Sequence, residues 1–276
     1  MPVDKDAPAS DWLGISGRVC VVTGAGGGIG RATALSLARA GAAIVLLDRD
    51  RNTMEESFAE VKAIGVPAMA IACDVSDPAS VAEAASKSFS AVGPCDVLVN
   101  NAGLLRPGAL ETLSADDWQI TMGVNLNGCL FCAQSFGRQM LERRRGAIIH
   151  IASIAGSHAQ GFSGAYSVSK AGIIMLSRQL ATEWGPRGIR SNVVSPGMIR
   201  TPLSEAFYLH QDVLERRSRM TPIGRVGQPE DIANTVTYLA SDRASYVSGE
   251  EITVDGAYTR TIMDLVPRPG FERPRG

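Results

Sequence analysis

Short aliphatic, β-branched runs alternate with longer stretches of helical periodicity almost from end to end. The runs are Val19–Thr23, Ala43–Asp48, Ala68–Cys73, Cys95–Asn100, Ala147–Ala152, Arg190–Ser195 and Glu251–Val254. Each is too continuously apolar for a strand with one wet face, which predicts a parallel sheet covered by helices on both sides. Helical stretches between them carry start and stop signals. One runs from about Gly28 to Ala40 and stops at Gly41; another follows Asp77-Pro78 and ends before Gly93-Pro94. Two long helices are expected over about 114–142 and 164–184. Repeated βα units with right-handed crossovers give an α/β fold, a Rossmann-type doubly wound sheet of about seven strands.

No linker or composition shift divides the chain, so residues 1–276 are expected to form one domain. Residues 201–228 read as a partly helical lid, and 261–276, rich in proline, as an irregular tail. Apolar residues make up 45% and charged residues 20%, which excludes disorder as the main state. A net charge of −1 leaves no basic footprint for nucleic acid. No apolar run reaches the ~18 residues needed to cross a bilayer, and the N-terminus lacks the apolar core of a secretory signal. Five cysteines, an odd number, read as reduced thiols of a cytoplasmic protein. Cys129 and Cys132 form a C-x-x-C on a helix without a second pair, and no metal site is expected. His150, inside an apolar strand, reads as a satisfied core histidine.

The first strand runs into Thr23-Gly24-Ala25-Gly26-Gly27-Gly28-Ile29-Gly30 and then a helix. The spacing is T-G-x-x-x-G-x-G, with Gly24, Gly28 and Gly30 in the key places and Ile29 between the last two. Glycines here permit positive φ and let the backbone approach a pyrophosphate, whose charge a helix N-terminus favours. Asp48 ends the second strand, where a carboxylate accepts hydrogen bonds from adenosine ribose hydroxyls and repels a 2′-phosphate. That favours NAD over NADP, with Arg49 and Arg51 pulling weakly the other way.

Tyr166-Ser167-Val168-Ser169-Lys170 is a Tyr-x-x-x-Lys element, and Asn100-Asn101-Ala102-Gly103 follows the fourth strand. With the glycine turn, these resemble the short-chain dehydrogenase/reductase family over about residues 15–257, in its single-domain form. Tyr166 and Lys170, four apart, share a helix face. A free tyrosine titrates near pH 10, and a neighbouring lysine cation and a helix N-terminus both favour the phenolate needed for proton exchange at neutral pH.

The resemblance implies further residues. Ser153 would hydrogen-bond the substrate oxygen, and Asn125 would hold a water in a proton relay through Lys170. Asp74 and Val75 would contact adenine, and Asn101, Ala102 and Gly103 the adjacent ribose. Pro196, Gly197, Ile199 and Thr201 would hold the nicotinamide carboxamide. The implied activity is hydride transfer between NAD and a small secondary alcohol or ketone, in a homotetramer. Two alternatives stay open: an NADPH-dependent 3-oxoacyl-carrier-protein reductase, with Arg138 and Arg187 meeting the carrier, and a catalytically silent nucleotide-sensing regulator. Leu104, Leu105, Leu203, Phe207, Tyr208, Leu209 and Met220 offer apolar walls for a substrate; Arg216, Arg217 and Arg219 offer charge, and His158 and Gln160 lie within reach.

Overall fold

A computed structural model describes residues 11–202, 204–208, 211–267 and 269–270. Seven strands form one parallel sheet: β1 (Val19–Thr23), β2 (Ala43–Asp48), β3 (Ala68–Ala72), β4 (Val97–Asn100), β5 (Gly146–Ile151), β6 (Ile189–Pro196) and β7 (Glu251–Val254), in the order β3-β2-β1-β4-β5-β6-β7. The interspersed α-helices are α1 (Gly28–Arg39), α2 (Arg51–Ala63), α3 (Pro78–Val92), α4 (Ala115–Met122), α5 (Gly128–Arg143), α6 (Ile154–Ser157), α7 (Tyr166–Trp184), α8 (Gln211–Met220) and α9 (Pro229–Ala240). The seven expected strands are all present, with ends shifted by at most two residues.

Alternation along β1 explains why its run had to be apolar up to Thr23. Cys20 and Val22 point into the layer of α1, α2 and α9, against Leu37, Met54 and Val236. Val19 and Val21 point into the opposite layer, against Val81, Phe136 and Met140 of α3 and α5. Neither face of β1 meets water, so neither tolerates a polar side chain. Thr23, at the strand's end, is the first polar residue, and it faces the crevice at the carboxyl edge of the sheet.

Caps set the helix ends. Asp77 accepts from Ala79 N at 2.9 Å with Pro78 in the first turn of α3, and Gly93 closes it at φ 96°. The segment over 114–142 departs from expectation. It is two helices joined by a π-helical turn at Gly123–Asn127. Inside that turn the Asn125 amide reaches out of the helix, accepting from Leu104 N at 2.8 Å and donating to Leu104 O at 3.0 Å. An extra residue per turn is the usual mark of such an insertion, and it often lies at functional sites.

The lid contains a 3₁₀ turn at Glu205–Tyr208 and α8, and Leu203 and Leu209 lie outside the described residues. The segment that leads into the tail is held by local hydrogen bonds. Asp255 accepts from Ala257 N at 2.9 Å and Thr259 N at 2.7 Å, and two 3₁₀ turns follow, at Tyr258–Arg260 and Ile262–Leu265. Ala257 takes φ 68°, a conformation that favours glycine. Residues 268 and 271–276 of the tail lie outside the described residues.

All five cysteines are buried free thiols, and burial pushes the Cys129 thiol up to about 12. His150 is wholly buried and only half satisfied: Nδ1 meets Asn100 Nδ2 at 3.2 Å, while Nε2 has no hydrogen-bond partner among the described residues. Burial, with a smaller contribution from Lys170, lowers its pKa to about 3. The unfolded chain therefore binds a proton that the folded chain refuses between pH ~6.5 and ~3, so stability is full above this window and lost as pH falls through it. Urea unfolding of the wild type should lose on the order of 2 kcal/mol more than His150→Gln between pH 7 and pH 5. Equal pH slopes for the two proteins would contradict this.

Candidate active site

The crevice where the strand order reverses is bridged by one side chain on each lip. Thr23 Oγ1 accepts from Asn101 N and Ala102 N, each at 3.0 Å, and Asn101 Nδ2 returns donors to Thr23 O at 2.9 Å and Gly24 O at 3.0 Å. Above this bridge lies a cavity of about 1150 Å³. All but two of the site residues anticipated from sequence line it. The exceptions are Gly30 and Asn125, which stand behind the wall.

Gly24 and Gly28 adopt φ 63° and 52°, the left-handed region that a tight turn before α1 requires. Gly30 is glycine for space: a Cβ there would overlap the Gly24 carbonyl oxygen and stand 2.6 Å from Asn101 Nδ2. The N-terminus of α1 carries no side-chain cap and no acidic residue in its first turn. Its N–H groups and positive dipole end are therefore available to an anion.

Asp48 frames the adjacent end of the cavity. Its Oδ2 accepts from Gly26 N at 2.9 Å and its Oδ1 from Asp50 N at 3.2 Å. Thr53 also lines this end and went unnoticed in the sequence, since a threonine in the first turn of α2 carries no signal of its own; a Cβ on Gly26 would strike its Oγ1. Hydrogen bonds from Ser76 hold the Asp74 carboxyl below the usual carboxylate range, and Arg49 adds a smaller pull. Val75, Ala102 and Gly103 line the wall between.

At the other end stand Tyr166, Lys170 and Ser153. Lys170 is 4% exposed; its Nζ donates to Ile151 O at 2.9 Å and lies 5.5 Å from the centroid of the Tyr166 ring. Ser153 caps α6, its Oγ accepting from Ala155 N at 3.1 Å. Capping uses the oxygen and leaves the hydroxyl proton to donate. The Asn125 amide gives its two protons to Leu104 O and, at 3.0 Å, to Ser169 Oγ, and its Oδ1 accepts from Leu104 N. Its side chain is thus a satisfied buried amide, and its backbone carbonyl, in the π turn, accepts from Cys129 Sγ at 3.1 Å. A Cβ on Gly103 would come within 3.4 Å of both Asn125 Oδ1 and Lys170 Nζ, which shows how closely these three residues converge.

Gly197 is seated against Asp255, with 2.5 Å between an imagined Cβ and the aspartate Cβ. Thr201 is fixed by Ser204, whose Oγ accepts from its backbone N at 3.0 Å, and it faces Gly28 across the cavity with Pro202 beside it. Of the lid residues named from sequence, Tyr208, Arg217 and Met220 line the cavity, as do Leu104, Leu105, His158 and Gln160; Arg216 and Arg219 do not. The tail supplies Tyr258, Thr259, Thr261 and Ile262, which no periodicity announced. Arg138 and Arg187 are exposed and away from the cavity.

Comparison with known proteins agrees with this geometry. A family model described as enoyl-(acyl carrier protein) reductase matches residues 24–259. A (2S)-[(R)-hydroxy(phenyl)methyl]succinyl-CoA dehydrogenase subunit of Thauera aromatica is 39% identical over 245 residues, 88% of this chain and 97% of its own. D-threitol dehydrogenase of Mycolicibacterium smegmatis is 38% identical over 89% of this chain and 94% of its own. A gluconate 5-dehydrogenase of Burkholderia cenocepacia, solved with NADP and tartrate, superposes with a TM-score of 0.87 at 34% identity, covering 92% of this chain and all of that one.

Gly30→Ala should destabilise the fold by about 1–3 kcal/mol through overpacking. It should also weaken dinucleotide binding about 10-fold, as the turn shifts away from its ligand geometry. Fluorescence titration and urea unfolding measure the two effects separately; unchanged affinity would contradict the role given to the close approach.

Proposed function

The chain belongs to the short-chain dehydrogenase/reductase family, an oxidoreductase acting on CH–OH groups, and within it we propose an NAD-dependent enzyme interconverting a small secondary alcohol and its ketone. One observation carries the proposal. A single cavity joins the uncapped N-terminus of α1 and the Asp48 carboxylate at one end to Tyr166, Lys170 and Ser153 at the other.

The residues fit a nicotinamide dinucleotide. Gly24, Gly28, Ile29 and Gly30 form a turn without side chains in the way of a pyrophosphate, and Asp48 would accept from the ribose hydroxyls. Asp74 and Val75 would meet the adenine, Asn101, Ala102 and Gly103 the adjacent ribose, and Pro196, Gly197, Ile199 and Thr201 the nicotinamide amide. Bound NAD⁺ supplies a hydride acceptor for the carbinol carbon, which is the one step the protein cannot perform. Tyr166 takes the hydroxyl proton onto its phenolate oxygen as the C–H bond breaks. Ser153 donates its free hydroxyl proton to the substrate oxygen and orients it. The Lys170 ammonium stands beside the Tyr166 ring, 5.5 Å from its centroid, where it would also meet the nicotinamide ribose. Asn125 would serve a relay to solvent beside Lys170.

The choice of NAD rests on Asp48, whose negative charge opposes a 2′-phosphate. Arg49, which also lines the cavity, exerts part of its field on Asp74. A homotetramer is supported by Val168 and Met175, exposed two turns apart on α7, and by Trp118 and Ile120, exposed on α4. Five buried thiols suit a reducing, cytoplasmic setting.

Purified protein with NAD⁺ or NADP⁺ and a panel of secondary alcohols, sugar alcohols, steroids and 3-hydroxyacyl thioesters tests the chemistry. Tyr166→Phe should lower kcat by about 10²- to 10⁴-fold; retained turnover would refute a proton-transfer role. NAD⁺ should bind at least about 10-fold more tightly than NADP⁺, and Asp48→Ser should narrow that ratio by a similar factor. Tighter binding of NADP⁺ by the wild type would overturn the assignment of Asp48.

A further inference from the structure

We propose that Glu251 is a positioning residue for the reaction: its carboxylate ties the turn that carries Ser153 to the strand that leads into Pro196 and Gly197. The inference rests on the dehydrogenase reading of the cavity and deepens it by naming what fixes two of its walls relative to each other.

Glu251 opens β7, the edge strand of the sheet, with Val193 of β6 as its register partner. Ser195, two residues beyond Val193, shares that face of the sheet. Ser195 is wholly buried, and its Oγ donates to Glu251 Oε1 at 2.7 Å. Ser157, the last residue of α6, donates to the same carboxylate, at 2.8 Å to Oε1 and 3.0 Å to Oε2. One carboxylate therefore gathers hydroxyls from two separate segments.

Each serine adjoins a part of the site. α6 is a single turn that Ser153 caps and Ser157 ends, with Gly156 N donating to Ser153 O at 2.9 Å. So short a helix has little stiffness of its own, and a tether at Ser157 constrains Ser153. Gly156 seats the same turn on α7, where an imagined Cβ would lie 2.9 Å from the Lys170 carbonyl carbon. α6 is thus held at two neighbouring residues, Gly156 against the Lys170 backbone and Ser157 on Glu251. Ser195 directly precedes Pro196 and Gly197, which line the cavity and are assigned above to the nicotinamide amide.

An acidic residue on an edge strand commonly serves only to block pairing with another chain. That role asks for a carboxylate facing water, whereas Glu251 is committed to two serines. Valine, isoleucine and threonine suit a strand better, but none places two acceptor oxygens so far from the backbone. Alignment is what such a clamp protects, since a displacement of about 1 Å can cost about 100-fold in rate. Slack between α6 and β6 would move the Ser153 hydroxyl relative to the Pro196-Gly197 segment. The glycine turn and Asp48, across the sheet on β1 and β2, would keep their geometry. The expected defect is therefore in kcat and not in dinucleotide affinity.

Ser157→Ala, Glu251→Leu, Glu251→Gln and the Ser157→Ala/Glu251→Leu double variant test this, with the cofactor and alcohol of the panel above that give turnover. Ser157→Ala cuts only the tie to α6, at an exposed position, so the thermal midpoint should stay within about 2 °C of wild type. Its kcat should nevertheless fall by about 10- to 100-fold. Dinucleotide affinity, read by fluorescence titration, should stay within about twofold. Glu251→Leu should lose at least as much rate, and the double variant no more than Glu251→Leu, because both changes cut one link. Glu251→Gln keeps an oxygen that can accept from both hydroxyls, and its kcat should remain within about threefold of wild type. In the protein without ligand, amide exchange over 153–158 should quicken in Ser157→Ala and Glu251→Leu but not in Glu251→Gln. A merely structural Glu251 would instead lower the midpoint and quicken exchange in β7, with the kcat of Ser157→Ala unchanged, which overturns the inference. Equal losses in Glu251→Gln and Glu251→Leu would overturn it as well, because charge and not the clamp would then matter. Turnover that needs Tyr166 but is indifferent to Ser157 and Glu251 would sink the clamp alone. No turnover with either cofactor, or turnover surviving Tyr166→Phe, would sink the dehydrogenase reading beneath it.

Discussion

The hydrogen bonds between Thr23 and Asn101 are the constraint on which the rest of the site depends. Crossovers from β1 travel toward β3, and those from β4 travel toward β7, so no helix can cover the gap between β1 and β4 at their carboxyl ends. That gap would leave backbone groups of both loops unpaired. Thr23 Oγ1 and the Asn101 amide satisfy them across it. The bridge fixes the distance between the glycine turn and the Asn-Ala-Gly segment, and Gly30 must be glycine because α1 starts directly against it. A crevice forced open by topology thereby becomes a rigid cleft.

Charge placement in the cleft follows from the same geometry. Lys170 is buried on α7 with its cation satisfied by the Ile151 carbonyl, at the last position of β5. The adjacent residue, His150, lies in the interior and stays neutral; burial and the nearby cation both disfavour its protonation. The nucleotide end is arranged oppositely, with Asp48 and Asp74 held by backbone and hydroxyl donors and facing an uncapped helix terminus. The cavity thus carries Asp48, Asp74 and Arg49 at the end beside the glycine turn and Lys170 at the end beside Tyr166.

Much of this was legible in the sequence because parallel strands buried on both faces write themselves as unbroken apolar runs, and because glycines with positive φ and the Tyr-x-x-x-Lys spacing are local signals. The π turn was not legible. Apolar periodicity continues through Val124, Asn125 and Leu126, and what widens the helix is a tertiary bond from Asn125 to the Leu104 backbone. Ser153 was readable as a cap or as a site residue, and the two are compatible, since capping consumes only its oxygen. Thr53, Tyr208 and Thr259 were silent or ambiguous because short turns have no period.

Lid and tail differ physically from the rest of the cavity wall. The ends of β1, β4, β5 and β6 are locked in the buried centre of the sheet, so a change there propagates into the core. The tail instead depends on a few local devices. Asp255 gathers the N–H groups of Ala257 and Thr259, and this compensates the left-handed turn that Ala257 adopts at a cost of roughly 1–2 kcal/mol relative to glycine. Such a segment can change its side chains without disturbing β1 through β6. The residues proposed for proton transfer and dinucleotide binding therefore lie on the rigid part, while lid and tail line the remaining wall of the cavity. That separation explains how a family with one cavity serves relatives named for substrates as unlike as a tetritol and a coenzyme A thioester. It also places the information about this chain's own substrate in the lid and tail, where the sequence pattern is weakest.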